Sequence, residues 1–77
     1  MTLQDLPMNT IGVVEDLQCD SSIQRRLLDL GLVKGTKIKP IFQSPFGDPT
    51  AFEIRKTLIA LRKKDTKLIL ITEEIPL

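Results

Sequence analysis

Apolar residues in this chain come in short runs separated by turn chemistry, and the period of each run sets what it predicts. Residues 11–16 are β-branched with Gly12 among them, which predicts a first strand with a bulge or a close backbone approach at the glycine. Ahead of it, residues 3–7 read as an extended entry segment. Ile23, Leu27, Leu28 and Leu30 then recur at near-helical spacing, with Arg25 and Arg26 left to face water. Ser21 or Ser22 is the expected N-cap, and Gln24, three residues after Ser21, fits a capping box. Gly31 stops the helix where the chain must enter the left-handed region. A helix of about ten residues does not persist alone in water, so this one must pack on a sheet.

The rest of the chain reads as strands and turns. Residues 33–36 are a turn in which Gly35 supplies a positive φ. Residues 37–43 form a strand that begins by alternating, and Pro40, having no backbone donor, predicts an edge or a bulge there. Residues 44–49, with two prolines and a glycine, are the strongest turn signal. Residues 51–55 alternate, residues 57–61 are more continuously apolar, residues 62–65 are a charged turn, and residues 67–72 are a last strand before a short tail. Five short strands and one helix predict a mainly β fold, a small barrel with one short helix between the first strands, since closure removes exposed edges.

Size and charge narrow the function classes. At 77 residues the expected organisation is one domain, residues 1–77. Such a domain buries roughly 60–65% of the surface its unfolded chain exposes, leaving a net stability of a few kcal/mol. One cysteine excludes an intrachain disulfide, and the core must hold the fold unaided. The N-terminus lacks the basic and apolar regions of a secretory signal, and no apolar run approaches the roughly 20 residues of a membrane span. With the lone Cys19, this predicts a cytoplasmic protein that is not membrane-inserted. A net charge of +1 lacks the basic excess of a dedicated nucleic-acid binder.

Catalytic equipment is sparse. Histidine and tyrosine are absent, which removes the commonest general base and the usual partner of a Ser or Cys nucleophile. Glu15 with Asp16 and Glu73 with Glu74 are adjacent, so on strands they point to opposite faces. The segment from Gly31 to Thr36 lacks phosphate-loop spacing. No enzyme, cofactor or metal site is expected. The possible metal donors, Cys19 with Met1 and Met8 or Asp16, Asp20 and Asp48, are too scattered, and Cys19 reads as a small packed residue. Phe42 and Phe52 are expected to pair in the core, while Phe46 at the turn tip is either an exposed contact or folded back. Basic residues cluster at Arg55-Lys56 and Arg62-Lys63-Lys64, with Lys34, Lys37 and Lys39 elsewhere, and read first as solvated faces.

Several motifs stand in a telling order. A Leu-Gln-Asp-Leu-Pro entry and a glycine-containing strand precede Arg26-Leu27-Leu28-Asp29-Leu30-Gly31-Leu32-Val33-Lys34-Gly35. Pro45-Phe46-Gly47-Asp48-Pro49 and Leu58-Ile59-Ala60-Leu61-Arg62-Lys63-Lys64-Asp65 follow. In combination these resemble the FeoA family along nearly the whole chain. The resemblance implies an SH3-like β-barrel and a small bacterial accessory of ferrous iron transport. It also implies a partner, the membrane transporter FeoB with its cytoplasmic GTP-binding domain, and a place at the inner face of the membrane. The chain departs from the family at Met8-Asn9-Thr10, where a glycine is common, at Lys56, also commonly glycine, and at Thr66, commonly alanine. Asn9 tolerates positive φ, so that turn survives.

The expected contact surface is the helix-to-turn region, Arg25, Arg26, Gly31 and Lys34, or the tip bearing Phe46, because exposed irregular elements on a rigid scaffold carry binding residues. The alternatives are a small RNA-binding barrel, another protein-interaction module, or a metal sensor working through Cys19.

Overall fold

The structure is a computed structural model that describes residues 1–18 and 20–74. Five antiparallel strands form one sheet: β1 (Gly12–Leu17), β2 (Lys37–Gln43), β3 (Thr50–Ile54), β4 (Thr57–Leu61) and β5 (Ile69–Glu73), in the order β4-β3-β2-β1-β5. Helix α1 (Ser21–Asp29) lies between β1 and β2, as expected. The charged segment between β4 and β5 is not a bare turn but a one-turn helix, α2 (Lys63–Thr66). The entry segment is also helical in part. Leu3–Asp5 form a short 3-10 turn, in which Asp5 Oδ2 accepts from the backbone N–H of Thr2 at 3.3 Å and from its hydroxyl at 3.1 Å. Both elements are too short for periodicity to reveal.

The expected barrel is not closed by hydrogen bonds. β4 and β5 are the two ends of the sheet, and no ladder joins them among the described residues. Instead, β2 serves two neighbours along its length. Its first two residues pair with Val13 and Gly12 of β1, and residues from Lys39 onward pair with β3. This lets the sheet wrap one core to which all five strands contribute, including Val14, Ile38, Phe52, Leu61 and Ile71. Leu27 of α1 and Leu3 and Leu6 of the entry segment complete it.

Two irregularities set which residues reach that core. β1 slips register between Val14 and Asp16, so Glu15 and Asp16 are both exposed rather than on opposite faces. Pro40 sits in a central strand, and the ladder to β3 slips between Pro40 and Phe42. Pro40 O accepts from the Asn9 N–H at 2.7 Å on the side of β2 that β1 has left after Ile38, so the missing donor points to a local edge, next to the bulge. The extra residue turns Phe42 outward. Phe52 is buried, but Phe42 is 62% exposed and does not pair with it in the core. Gly12 marks a close approach: a Cβ there would stand 2.9 Å from Ile71 Cδ1 and 3.0 Å from Leu6 Cδ2.

Candidate partner-binding surface

α1 is held at both ends. Asp20, not a serine, is the N-cap: its Oδ1 accepts from the Ile23 N–H at 3.0 Å and from the Ser22 hydroxyl at 2.9 Å. The Ile23 N–H, then the Ser22 hydroxyl, hold this exposed carboxyl below its ordinary range. At the other end Gly31, at φ +97°, donates to Leu28 O at 2.9 Å, and Leu32 donates to Leu27 O at 3.0 Å. That is the paired closure of a Schellman motif. It buries Leu32 beside Leu27 and leaves Gly31 half-buried, serving the helix stop.

The loop beyond α1 is clamped to β1. Gly35 N–H donates to Val14 O at 2.8 Å, Val14 N–H donates to Thr36 O at 2.9 Å, and the Thr36 hydroxyl donates to Gly31 O at 3.1 Å. Lys34 rides exposed on this loop and shares a shallow depression with Lys37 and Arg55.

Phe46 stands at the tip of the β2–β3 turn and is 95% exposed, so it is not folded back onto the sheet. The tip is braced from within by Gly47 N–H to Ser44 O at 2.8 Å, the Ser44 hydroxyl to Asp48 O at 2.8 Å, and Gln43 Nε2 to Gly47 O at 3.1 Å. Asp48 Oδ1 accepts from the Lys63 N–H at 3.0 Å, which ties the tip to the start of α2.

These residues do not gather into one patch. Arg25 is exposed on α1, whereas Arg26 is drawn onto α2, its Nη2 2.8 Å from Asp65 Oδ2, beside Ala60, Arg62 and Lys64. Lys34 lies near the Ile54 end of β3 and Phe46 near its Thr50 end, about 14 Å apart along the strand. The basic residues divide the same way, into Lys34, Lys37 and Arg55 at one end and Arg26, Arg62 and Lys64 at the other.

Sequence reasoning missed an exposed apolar face. Cross-strand pairing sets Phe42, Ala51 and Ala60 in one row on the outer side of β2-β3-β4, and Lys39, Glu53 and Leu58 in the next. Leu58, like Phe42, is 62% exposed. The signal was present in the alternation of residues 51–55, which fixes the outward side of β4 once the register of the hairpin is known. As for metal, no three Cys, Asp or Glu side chains gather among the described residues, and Cys19 lies outside them.

The FeoA domain model matches residues 1–73. The chain belongs to the FeoA family. Among solved structures it is similar to the FeoA protein of Chlorobium tepidum, with 30% identity over 95% of this chain and 70% of that one and a TM-score of 0.88. The FeoA-like protein of Clostridium acetobutylicum shares 29% identity over 99% and 88% of the two chains, with a TM-score of 0.89. Stenotrophomonas maltophilia FeoA in complex with zinc shares 36% identity over 94% and 89%, with a TM-score of 0.81. That protein is described as a prokaryotic SH3 domain protein and a suggested activating factor of ferrous iron transport. FeoA is thus a family of small domains associated with ferrous iron transport and is not a known enzyme family. No helix among the described residues is long and apolar enough to cross a membrane.

Proposed function

We propose that this FeoA-family chain is an accessory of ferrous iron uptake that binds the FeoB transporter and modulates its assembly or nucleotide cycle. The family match over residues 1–73 carries this reading. In it the chain works as one binding domain at the inner face of the membrane and carries neither iron nor guanine nucleotide itself. The contact is made by Phe46 on its braced tip or by the separate helix-to-loop region, where Arg25, Arg26 and Lys34 are the polar part and Gly31 shapes the bend. A large apolar side chain left almost wholly in water on a rigid support is suited to filling a partner's pocket.

The test is co-purification of tagged protein with full-length FeoB from detergent-solubilised membranes, with and without guanine nucleotide. Stable association supports the reading, and nucleotide dependence points to the GTP-binding domain. Failure to associate in every nucleotide state, with the protein folded, overturns it. Phe46→Ala, or else Arg25→Glu and Lys34→Glu, is expected to reduce association while leaving the fold intact. If all three bind like the parent protein, the contact surface is elsewhere.

A further inference from the structure

The free edge of β4 is equipped for one kind of occupant. The β3–β4 hairpin has a two-residue loop, Arg55-Lys56, with φ of +52° and +67°, closed by the pair Ile54 and Thr57. In such a primed turn the closing pair is hydrogen-bonded, and bonded and non-bonded pairs then alternate along the ladder. Phe52 with Ile59 and Thr50 with Leu61 are therefore bonded pairs, while Leu58 and Ala60 turn their N–H and C=O groups away from β3. No strand pairs with that side of β4 among the described residues. The side chains of Leu58 and Ala60 are both exposed and lie on the outer face, opposite Glu53 and Ala51.

Charge brackets this short apolar edge. Lys56 precedes it, and Arg62, Lys63 and Lys64 follow it. The nearby carboxylates are already occupied or displaced: Asp65 is held by Arg26, Asp48 accepts from the Lys63 N–H, and Glu53 stands one strand away, opposite Lys39. A second copy added antiparallel about Ile59 would set its Arg62 beside Lys56, like charge against like. Basic residues at both ends thus guard the edge against self-association and favour an acidic visitor.

We infer that β4 is a docking strand for an extended segment of a partner protein with the pattern acid-x-apolar-x-apolar-x-acid. The segment pairs antiparallel with β4. Its two apolar residues lie opposite Ala60 and Leu58 and extend the outer face by one row, while its backbone takes up the four outward groups of those two residues. Its terminal acids meet Lys56 at one end and Arg62 at the other. This does not depend on FeoB being the partner.

The probe is the blocked peptide acetyl-Glu-Thr-Val-Thr-Val-Thr-Glu-amide, titrated into the full chain labelled with nitrogen-15. Saturable shifts of the Leu58 and Ala60 amides are expected, with their hydrogen exchange slowed. Replacing both glutamates by lysine is expected to weaken binding at least tenfold. In the protein, Ala60→Pro removes an outward N–H without removing a bond to β3, and is expected to abolish protection at Leu58. Lys56→Glu with Arg62→Glu, which leaves the edge backbone intact, is expected to weaken binding by a similar tenfold factor. Shifts confined to the basic residues, without protection of Leu58 and Ala60, mean simple ion pairing and overturn the proposal. So does unchanged binding in the double charge variant, or protection of both amides by self-association before peptide is added.

Discussion

Arg26 of α1 reaches across to α2 and places its Nη2 2.8 Å from Asp65 Oδ2. The two ends of this pair differ: the arginine side chain is 55% exposed and the aspartate side chain only 9%. The carboxylate is thus committed to the protein, and the guanidinium is what reaches it. Removing Arg26 strands a largely buried carboxylate, which costs more than losing an exposed pair. Arg26→Gln is expected to lower stability by about 1 kcal/mol. Breaking the exposed pair Lys37–Glu74 with Lys37→Gln should change it by under about 0.5 kcal/mol. Urea denaturation of the two variants checks the contrast. Because Arg26 has this structural task, Arg25 is the cleaner probe of partner contact.

Adjacent leucines on α1 have opposite fates. Leu27 has no exposed surface, and Leu28 is 42% exposed. Leu27→Ala is expected to cost roughly 2–4 kcal/mol through lost burial and a cavity under the helix. That is comparable to the few kcal/mol such a domain has in total, so the variant should be largely unfolded at room temperature. Leu28→Ala should stay within about 0.5 kcal/mol of the parent. Chemical denaturation followed by far-ultraviolet circular dichroism measures both.

The β3–β4 hairpin places Lys56 in the left-handed region at φ +67°. A side chain there costs roughly 1 kcal/mol relative to glycine. Lys56→Gly is therefore expected to raise stability by up to about 1 kcal/mol, less whatever flexibility it adds to the unfolded chain. An increase in denaturation midpoint with unchanged slope is the expected result. A lower midpoint would show that the lysine side chain itself stabilises the turn.

The N-cap gives α1 a dependence on acid. Asp20 is held below its ordinary value of 3.8, first by the Ile23 N–H and then by the Ser22 hydroxyl. Because the native state lowers this value, the stabilisation is present above the unfolded value and is lost as pH falls through the native one. The first turn of α1 is expected to loosen below about pH 4, with the Ile23 amide resonance titrating in step. Asp20→Asn, which keeps a capping oxygen, should remove that titration and retain most of the helix. Asp20→Ala should loosen the first turn at every pH.

Most of the secondary structure was legible in the sequence because its signals are local. Gly31 and Gly35 at positive φ, Asn9 in the left-handed region and the strand over residues 37–43 all follow from a residue's own steric limits or from a run's period. The motif order from the Leu-Pro entry to Ala60-Leu61-Arg62 also sufficed for the family. What tertiary structure decided was pairing. Whether Phe42 is core or surface turns on a one-residue slip opposite β3, and a slip of one residue exchanges the two faces of a strand. Whether Asp65 is a solvated turn residue or a buried partner depends on α1 coming to rest against α2. The apolar run of β4 reads the same whether its strand lies inside a closed barrel or at a free edge. Only the strand order, set by the competition of every ladder for partners, leaves the outward N–H and C=O groups of Leu58 and Ala60 without a strand to pair with among the described residues.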